Sequence, residues 1–523
     1  MSCARRGPWL ALAAAALAMM GSAAAHAAPA GDCQSLAKKT MASTIEASLV
    51  EADSAVPPAY PGMAPIHLPA YCRVKAELRL VLGSRIGFEL WLPLVGTWTG
   101  RLQMYGNGGY SSDLPTRQMA LGLAHGSAVV ATDTGHSGDD PDFAVGHPQA
   151  IADWGYRAVH ETALAAKKLT VLFYGRAASH AYFDGCSTGG HQALMEAQRF
   201  PGDFDGIVAG APGADRVRLN AAFLWQFLAN HRPGDNLQPI LGREDLALLQ
   251  HASFLACHGA NGTTAGGSSA DTWLDDPIRC RFDPAVLACP DRLEDHCLTP
   301  EQIAAARKMY AGAIDPRTGA TVTTPWLPGS EKGWAAYWAD PRIPQQPARV
   351  NFWRVWAFDD PQWDWWHFSY GSDLAAAMRK LSPIIDATDP DLRRFHKRGG
   401  KLLQYHGLAD PVVSPLDSIH YYMRVKAIAG ERTIDDWYRL FLLPGMSHCA
   451  GGEGFWRFDA QAAIENWVEK GSAPADLVAA RLSGTETRPI CRYPGKAMLT
   501  SRPGMPDSYR CQSADARTEP STS

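Results

Sequence analysis

Short apolar runs bounded by glycine alternate with segments of helical periodicity through the first part of the chain. The runs at 101–109, 127–135, 179–185 and 204–212 are typical of buried strands. Between the second and third runs, residues 153–175 repeat apolar side chains at helical spacing and predict a helix. Because strand and helix alternate, we expect an α/β fold with a mostly parallel sheet covered on both faces.

The alternation lapses between about residues 217 and 385, where prolines, cysteine pairs and tryptophans are frequent, and then resumes. Residues 401–407 and 438–445 predict further strands, and residues 459–471 predict a terminal helix that ends at a glycine. We interpret the pattern as one α/β core, residues 28–213 and 389–515, with a domain inserted at 214–388. The tail at 516–523 is predicted to be disordered.

The N-terminal residues 1–27 predict a cleaved signal peptide. Arg5 and Arg6 precede an apolar run between Trp9 and Met20, and small residues follow as far as Ala28. The run is too short to span a membrane comfortably, and no later segment offers about 20 uninterrupted apolar residues. We therefore expect export to the periplasm or the extracellular medium, without a membrane anchor.

Composition narrows the class further. Of 523 residues, 46% are hydrophobic and 20% are charged, and the formal net charge is −4. These values argue against a nucleic-acid partner and against wholesale disorder. The chain has 11 cysteines, of which Cys3 leaves with the signal. An even number in an oxidising compartment favours disulfides.

Sequence alone does not fix the connectivity of these cysteines. Three pairs are close enough in the chain to be local disulfides, namely Cys257/Cys280, Cys289/Cys297 and Cys491/Cys511. Cys33 and Cys72 are also predicted to form disulfides.

A candidate nucleophile lies in the stretch Gly185-Cys186-Ser187-Thr188-Gly189, which fits the pattern G-x-S-x-G. In that pattern the glycines permit a sharp strand-to-helix turn on which the serine hydroxyl is exposed. A predicted strand precedes Ser187, and the helix-forming HQALMEAQRF follows it. Because a serine hydroxyl is a poor nucleophile at neutral pH, a histidine must take its proton and a carboxylate must orient that histidine.

Candidates for both partners follow the insertion in the order Ser, Asp, His that α/β-hydrolases use. Asp410 lies in YHGLADPVVSP just beyond one predicted strand, and His448 lies in LLPGMSHCA just beyond another. Asp410 could instead be a turn residue before Pro411, and most of the 17 histidines are expected to be structural or exposed. The chain order and the positions at strand ends favour the catalytic interpretation.

The cysteines beside these residues predict a further feature. Cys186 precedes Ser187, and Cys449 follows His448. If the serine and the histidine lie within hydrogen-bond reach, the two cysteines lie at a separation that a disulfide accepts. We therefore expect a disulfide between Cys186 and Cys449 that clamps nucleophile to base. The alternative is that each pairs elsewhere.

On these residues the sequence resembles the tannase and feruloyl esterase family of secreted α/β-hydrolases, which is marked by Cys-Ser, Asp and His-Cys. The resemblance covers most of the chain, through GNGG at 106–109, ATDTGH at 131–136, RCRFDP at 279–284 and YHGLADPVVSP at 405–415. It implies hydrolysis of carboxylic esters of aromatic acids beneath an inserted lid. Hydroxycinnamate or gallate esters are the expected substrates, and a terephthalate monoester is an alternative that this family also includes.

Ester hydrolysis passes through an oxyanion, which needs fixed N–H donors. One donor is predicted to be the backbone N–H of Thr188, the residue after the nucleophile. The second is expected from YGNGGYSS, with Gly108 favoured and Gly109 next. Such a stretch can also be only a turn.

Aromatic residues are concentrated in the inserted domain. Eight of the 17 tryptophans fall between Trp326 and Trp366. Rings can hold a planar aromatic acid, although most of these are expected to form the domain's own core. Arg354 is a candidate partner for a substrate carboxylate.

The resemblance also implies a structural calcium ion in the lid, held by an Asp-rich loop between two cysteines. In this chain His258 and Asn261 stand where aspartates are expected. The candidate ligands are Asp271, Asp275, the carbonyl of Trp273 and Asn261, whereas calcium prefers six to eight oxygens. No cofactor is expected for catalysis.

The sequence therefore predicts an exported serine esterase in which His448 deprotonates Ser187, Asp410 orients His448 and an acyl-enzyme forms. A small-molecule ester is the expected partner, and the oligomeric state is left open. One alternative from another class is an inactive hydrolase fold that binds phenolics or glycans. A metal-dependent hydrolase is disfavoured because no H-E-x-x-H or comparable ligand spacing occurs.

Overall fold

The chain folds around one nine-stranded sheet in the computed structural model. The structure describes residues 31–37, 44–58, 63–258, 271–290, 296–337, 345–430, 433–482, 486–500 and 508–512. The predicted signal peptide at 1–27, the candidate ligand Asn261 and the predicted tail at 516–523 lie outside the described residues.

The strands of the described residues are β1 (Thr44–Val50), β2 (Ala55–Val56), β3 (Ile66–His67), β4 (Tyr71–Leu78), β5 (Ile86–Pro93), β6 (Arg101–Tyr105), β7 (Ala128–Thr132), β8 (His180–Cys186), β9 (Gly206–Gly210), β10 (Lys401–Gly407), β11 (Tyr438–Leu443), β12 (Asp476–Ala480), β13 (Thr487–Cys491), β14 (Lys496–Leu499) and β15 (Tyr509–Gln512).

The α-helices are α1 (Cys33–Leu36), α2 (Thr116–Ala124), α3 (Pro148–Ala152), α4 (Ala158–Tyr174), α5 (Thr188–Arg199), α6 (Arg216–Ala229), α7 (Arg243–Cys257), α8 (Pro300–Ala311), α9 (Ser372–Ile385), α10 (Arg393–Lys397), α11 (Pro415–Ala429) and α12 (Ala460–Lys470). Shorter 3-10 turns cover Pro141–Ala144, Pro277–Arg279, Pro284–Leu287, Glu331–Tyr337, Trp365–His367 and Ile434–Asp436, and π turns cover Asp153–Arg157 and Phe352–Ala357. In the described part of the chain, none of the helices has the length and apolar character needed to cross a bilayer.

The sheet has the order β1-β4-β5-β7-β6-β8-β9-β10-β11. From β7 to β11 every neighbouring pair is parallel, whereas β1, β4 and β5 are added antiparallel at one edge. Every residue of β7 and of β9 is buried, as expected for strands covered on both faces. The predicted fold class, an α/β fold with a mostly parallel central sheet, is confirmed.

The predicted elements differ from the structure mainly at their ends. The strand predicted at 101–109 stops at Tyr105, because residues 106–109 leave the sheet as a loop. The helix predicted at 153–175 begins with the π turn Asp153–Arg157 and continues as α4. The helix predicted at 459–471 is α12, which ends at Gly471 with a left-handed φ of 69°.

Between β9 and β10 the chain leaves the sheet for a long excursion through α6 to α10. Part of it packs as a second apolar cluster around Trp353 and Trp356, separate from the main cluster under the sheet. The predicted boundaries of the inserted domain, 214 and 388, fall within this excursion and stay predictions. Because β6, β8, β10 and β11 are parallel, the loops that follow them meet at one edge of the sheet.

Candidate active site

Ser187 occupies the turn between β8 and α5. Its backbone has φ 63° and ψ −115°, a region that non-glycine residues enter only when the surrounding structure imposes it. Glycine is needed at position 185, because a Cβ there would lie 2.7 Å from the Cα of Gly189. Since β8 pairs with β6 and β9 inside the sheet, Ser187 is held on rigid elements at its carboxyl edge.

The carboxylate of Asp410 and the imidazole of His448 meet beyond the ends of β10 and β11. The distance between His448 Nδ1 and Asp410 Oδ2 is 2.7 Å. The side chain of Asp410 is 0% exposed and that of His448 is 19% exposed. Because an ionised carboxylate only accepts, Nδ1 carries the ring proton, and Nε2 of the neutral ring is left to accept a proton.

A second histidine, His406 on β10, also bonds to Asp410. Its Nε2 lies 3.1 Å from Asp410 Oδ2 and 3.0 Å from the carbonyl oxygen of Val413, and its Nδ1 lies 2.7 Å from Ser418 Oγ. The side chain is fully buried. No role was predicted for His406 from the sequence, although its position four residues before Asp410 at the end of a strand was a usable signal.

Asp410 keeps its negative charge in spite of burial. Burial raises the pKa of its carboxyl, but the positive charge of His448 in its protonated form and the hydrogen bonds from His406 and His448 outweigh burial and bring the pKa well below its usual range. The backbone N–H groups of Val412 and Val413 donate to Oδ1 at 2.8 and 3.0 Å. The result is a fixed carboxylate that can orient His448 and stabilise its protonated form.

A disulfide joins Cys186 to Cys449 across 263 residues of sequence, with α-carbons 5.8 Å apart. Ser187 adjoins one cysteine and His448 adjoins the other, so the two candidate catalytic side chains lie on covalently linked segments. The other cysteines of the described residues form the pairs Cys33–Cys72, Cys257–Cys280, Cys289–Cys297 and Cys491–Cys511.

The loop after β6, residues 106–110, supplies candidate N–H donors to the oxyanion and is called the oxyanion loop below. Thr188 Oγ1 donates to the carbonyl of Gly109 at 2.7 Å, which ties this loop to the first residue of α5. Neighbouring backbone N–H groups have acceptors: Gly106 donates to the Asp184 carbonyl, Asn107 to Gln192 and Tyr110 to Asp139. Within the described ranges, the N–H groups of Gly108 and Gly109 have none. Together with Thr188 N–H at the start of α5, they can receive an oxyanion.

The aromatic residues of the insertion mostly contact one another. Trp353 and Trp356 are almost fully buried, and their cluster also contains Tyr110 from the oxyanion loop. Arg354 lies 5.2 Å from the ring centre of Trp365 and donates to the carbonyl of Trp363. These contacts engage Arg354 within the insertion itself.

The candidate calcium ligands lie beside the C-terminal strands. Arg488 on β13 donates to both carboxylate oxygens of Asp275 at 2.8 and 3.0 Å and lies 3.9 Å from Asp271. The indole of Trp273 also donates to Asp275 at 3.1 Å. Both carboxylate oxygens of Asp275 already accept hydrogen bonds from the Arg488 guanidinium. The candidate ligands among the described residues therefore do not supply the six to eight oxygens that a calcium site needs. The ion stays a prediction, and no step below depends on it.

The chain order of the serine turn, the aspartate and the histidine around a mostly parallel sheet is that of an α/β-hydrolase. The sequence matches the family described as "Tannase and feruloyl esterase" over residues 72–511. Because this match covers most of the chain, the protein belongs to the tannase and feruloyl esterase family and is a carboxylic ester hydrolase. The predicted family and enzyme class are confirmed.

Three comparisons illustrate the similarity. An uncharacterized esterase of Xanthomonas campestris pv. campestris is 33% identical over 92% of this chain and 91% of its own length. The mono(2-hydroxyethyl) terephthalate hydrolase of Piscinibacter sakaiensis is 32% identical over 82% of each chain. The crystal structure of feruloyl esterase B from Aspergillus oryzae superposes with a TM-score of 0.81 at 26% identity, over 92% of this chain and 99% of that one.

Proposed function

We propose that the protein is a serine carboxylesterase that hydrolyses esters of aromatic acids through an acyl-enzyme, with Ser187 as nucleophile, His448 as base and Asp410 as the orienting carboxylate. The observation that carries this proposal is the Cys186–Cys449 disulfide. It brings the Ser187 turn next to a histidine that is already bonded to a buried, ionised carboxylate.

In the first step His448 Nε2 removes the proton of the Ser187 hydroxyl while Oγ bonds to the acyl carbon of the ester. The carbonyl oxygen becomes an oxyanion, stabilised by the N–H groups of Thr188 and Gly108, with Gly109 as the neighbouring donor. The intermediate collapses when the bond from the acyl carbon to the alcohol oxygen breaks. The alcohol leaves with the proton from His448, and the acyl group stays on Ser187.

In the second step water attacks the acyl-enzyme. His448 takes one proton from the water, the hydroxyl oxygen bonds to the acyl carbon, and the same N–H donors hold the second oxyanion. The bond to Ser187 Oγ then breaks, and His448 returns its proton to the serine. Asp410 stays ionised throughout, which favours the protonated form of His448 in both steps.

The aromatic acid as acyl group is supported by the family and by its named relatives. The relative from Piscinibacter sakaiensis is a terephthalate-monoester hydrolase, and the similar fungal structure is a feruloyl esterase. Cinnamic, gallic and terephthalic acids share a planar ring conjugated to the ester carbonyl. We take this shared part as the element that the site recognises, and the alcohol can vary.

The test is a side-by-side assay of methyl ferulate, methyl gallate, a terephthalate monoester and methyl hexanoate with the wild type and Ser187→Ala. We expect turnover of at least one aromatic ester, little turnover of the aliphatic ester, and loss of turnover in the variant. Mass spectrometry after treatment with a phosphonate ester should find the label on Ser187. If no ester is cleaved and Ser187 is not labelled, the protein is a binding protein with a hydrolase fold.

We also propose that the protein works outside the cytoplasm. The five disulfides are typical of proteins from oxidising compartments. N-terminal sequencing of the exported protein should find a chain that begins near residue 28. An intact N-terminus on the exported protein would contradict cleavage there. For the predicted calcium, whose described candidate ligands do not fit the ion, we expect a blank metal analysis and an unchanged melting temperature after chelation. One ion per chain together with a lower melting temperature after chelation would contradict this expectation.

A further inference from the structure

A buried arginine lies directly behind the candidate oxyanion site. Arg216 is the first residue of α6, and only 3% of its surface is exposed. Its guanidinium lies 5.0 Å from the ring centre of Trp154 and 5.7 Å from that of Tyr110. Its Nη2 donates to Thr188 Oγ1 at 2.6 Å. The arginine therefore contacts the residue that follows the nucleophile.

Among the described residues, no carboxylate lies close enough to the guanidinium of Arg216 to form an ion pair with it. The charged groups that act on it are the carboxylate of Asp386, which accepts from backbone N–H groups at the start of α6, and the guanidinium of Arg349, which pairs with Asp139. Its Nε is buried without an acceptor. Because burying an unpaired charge is costly, a role beyond packing is indicated.

The hydrogen bond from Arg216 sets the direction of the next one. A guanidinium only donates, so Thr188 Oγ1 must accept from it and must turn its own proton elsewhere. That proton goes to the carbonyl of Gly109 at 2.7 Å. The relay from Arg216 through Thr188 to Gly109 thus links the two segments that carry the candidate N–H donors.

The oxyanion loop is fixed from its other side as well. Asp139 accepts from Tyr110 N–H at 2.9 Å, and Gln192 accepts from Asn107 N–H at 3.1 Å. Gln192 itself lies on α5, so the relay is a second polar contact between the loop and this helix, and it acts at the first residue of the helix, beside Ser187. The positive charge of Arg216 is also one hydrogen bond from Thr188, whose backbone N–H is a candidate donor to the negative charge that develops in the reaction.

We propose that Arg216 is a positioning residue of the oxyanion hole: it acts through the Thr188 hydroxyl to hold the Gly108–Gly109 loop against α5, and its unpaired charge favours the tetrahedral intermediate. This proposal rests on the proposed function. It predicts an effect on the chemical step, because the oxyanion forms only after substrate has bound.

The test compares Arg216→Met, Arg216→Lys and Thr188→Val on the best ester substrate. Arg216→Met is expected to lower kcat by at least about tenfold, less than the ~10²–10³-fold cost of losing a donor outright, with KM within about twofold. Arg216→Lys keeps the charge and should recover part of kcat. Thr188→Val should lower kcat similarly, and the double variant Arg216→Met/Thr188→Val should be no slower than the slower single variant.

Arg439→Met serves as the matched control. Arg439 also lies over an aromatic ring, that of Trp467 at 5.3 Å, but its hydrogen bonds go to the carbonyls of Asp435 and Pro474. The kcat of Arg439→Met is expected to equal that of the wild type. A role of Arg216 in packing alone would lower the melting temperature of Arg216→Met without this selective fall in kcat.

Wild-type kcat in folded Arg216→Met, or a raised KM at unchanged kcat, would overturn the proposal. If Arg216→Met does not fold, Thr188→Val decides, and wild-type kcat there overturns it equally. The rate at which a phosphonate ester labels Ser187 separates this result from a failure of the proposed function. No labelling of the wild type removes the esterase itself, whereas labelling of all variants at the wild-type rate removes only the role of Arg216.

Discussion

Removing the Cys186–Cys449 disulfide is expected to lower the free energy of unfolding more than the loss of any other cross-link in the described structure. The bond closes a loop of 263 residues, and in the chain-entropy account such a link restricts the unfolded chain by about 5–6 kcal/mol at 25 °C. The two pairs inside this loop span only 23 and 8 residues, so they shorten it little. We therefore expect the variant Cys186→Ala/Cys449→Ala to lose up to about 5 kcal/mol.

The same variant should lose activity out of proportion to its loss of secondary structure. His448 lies in a loop, and the cysteine beside it is the covalent link to the Ser187 turn. A misplacement of about 1 Å between catalytic groups can cost roughly 100-fold in rate, so kcat should fall by about 10- to 100-fold while the far-ultraviolet circular dichroism is unchanged.

The matched control is Cys491→Ala/Cys511→Ala. That disulfide closes a loop of 20 residues, which corresponds to about 3 kcal/mol in the same account, and it links strands remote in sequence from the triad. Urea unfolding followed by tryptophan fluorescence measures stability, and kcat is measured without urea. Wild-type kcat in the first variant would refute the positioning role of the clamp, and equal stability losses in both variants would refute the loop-entropy reasoning.

Three further substitutions test other parts of the structure. Asp410→Asn should lower kcat by about 10³–10⁴-fold because the base loses the carboxylate that selects its tautomer, and a loss below tenfold would mean that another group orients the base. Burial and a neighbouring carboxylate raise the pKa of Glu196 well above its usual value, so the folded protein keeps a proton that the unfolded chain releases above about pH 4.3. The wild type should therefore lose stability, relative to Glu196→Gln, as the pH rises from about 4 to 7, and parallel urea-unfolding curves would contradict this. Arg488→Met should lower the free energy of unfolding by about 3–5 kcal/mol, because the buried carboxylate of Asp275 keeps the neutral hydrogen bond from Trp273 but loses its counter-charge. The same change at Arg307, in an exposed ion pair, should leave the melting temperature unchanged.

The sequence predicted the centre of the sheet better than its edge. Strands such as β7 and β9 are buried on both faces, so they are short continuous apolar runs that differ clearly from their surroundings. β4 is buried on one face only and carries charged residues between the apolar ones. It lies at the antiparallel edge with β1 and β5, and none of these three was among the predicted strands.

The candidate triad could be predicted because its members follow the parallel strands β8, β10 and β11, and the order Ser, Asp, His along the chain is informative. The polar contacts between side chains distant in the sequence could not be predicted in this way. Arg216 reaches Thr188 across 28 residues, and Arg488 reaches Asp275 across 213. Such pairs are set by how helices and ribbons pack, and a single arginine in a sequence does not indicate its partner.

The pairing of Cys186 with Cys449 also constrains how the chain can be oxidised as it enters an oxidising compartment, N-terminus first. Cys257, Cys280, Cys289 and Cys297 all follow Cys186 before Cys449 is made, and they form two pairs nested inside the long bond. An oxidant that joined these cysteines in their order of appearance would link Cys186 to Cys257, Cys280 to Cys289 and Cys297 to Cys449, and would so replace three of the native pairs. Correct maturation therefore requires either that Cys186 stays reduced until synthesis is nearly complete or that wrong bonds are exchanged, so a thiol–disulfide isomerase should raise the yield of active enzyme.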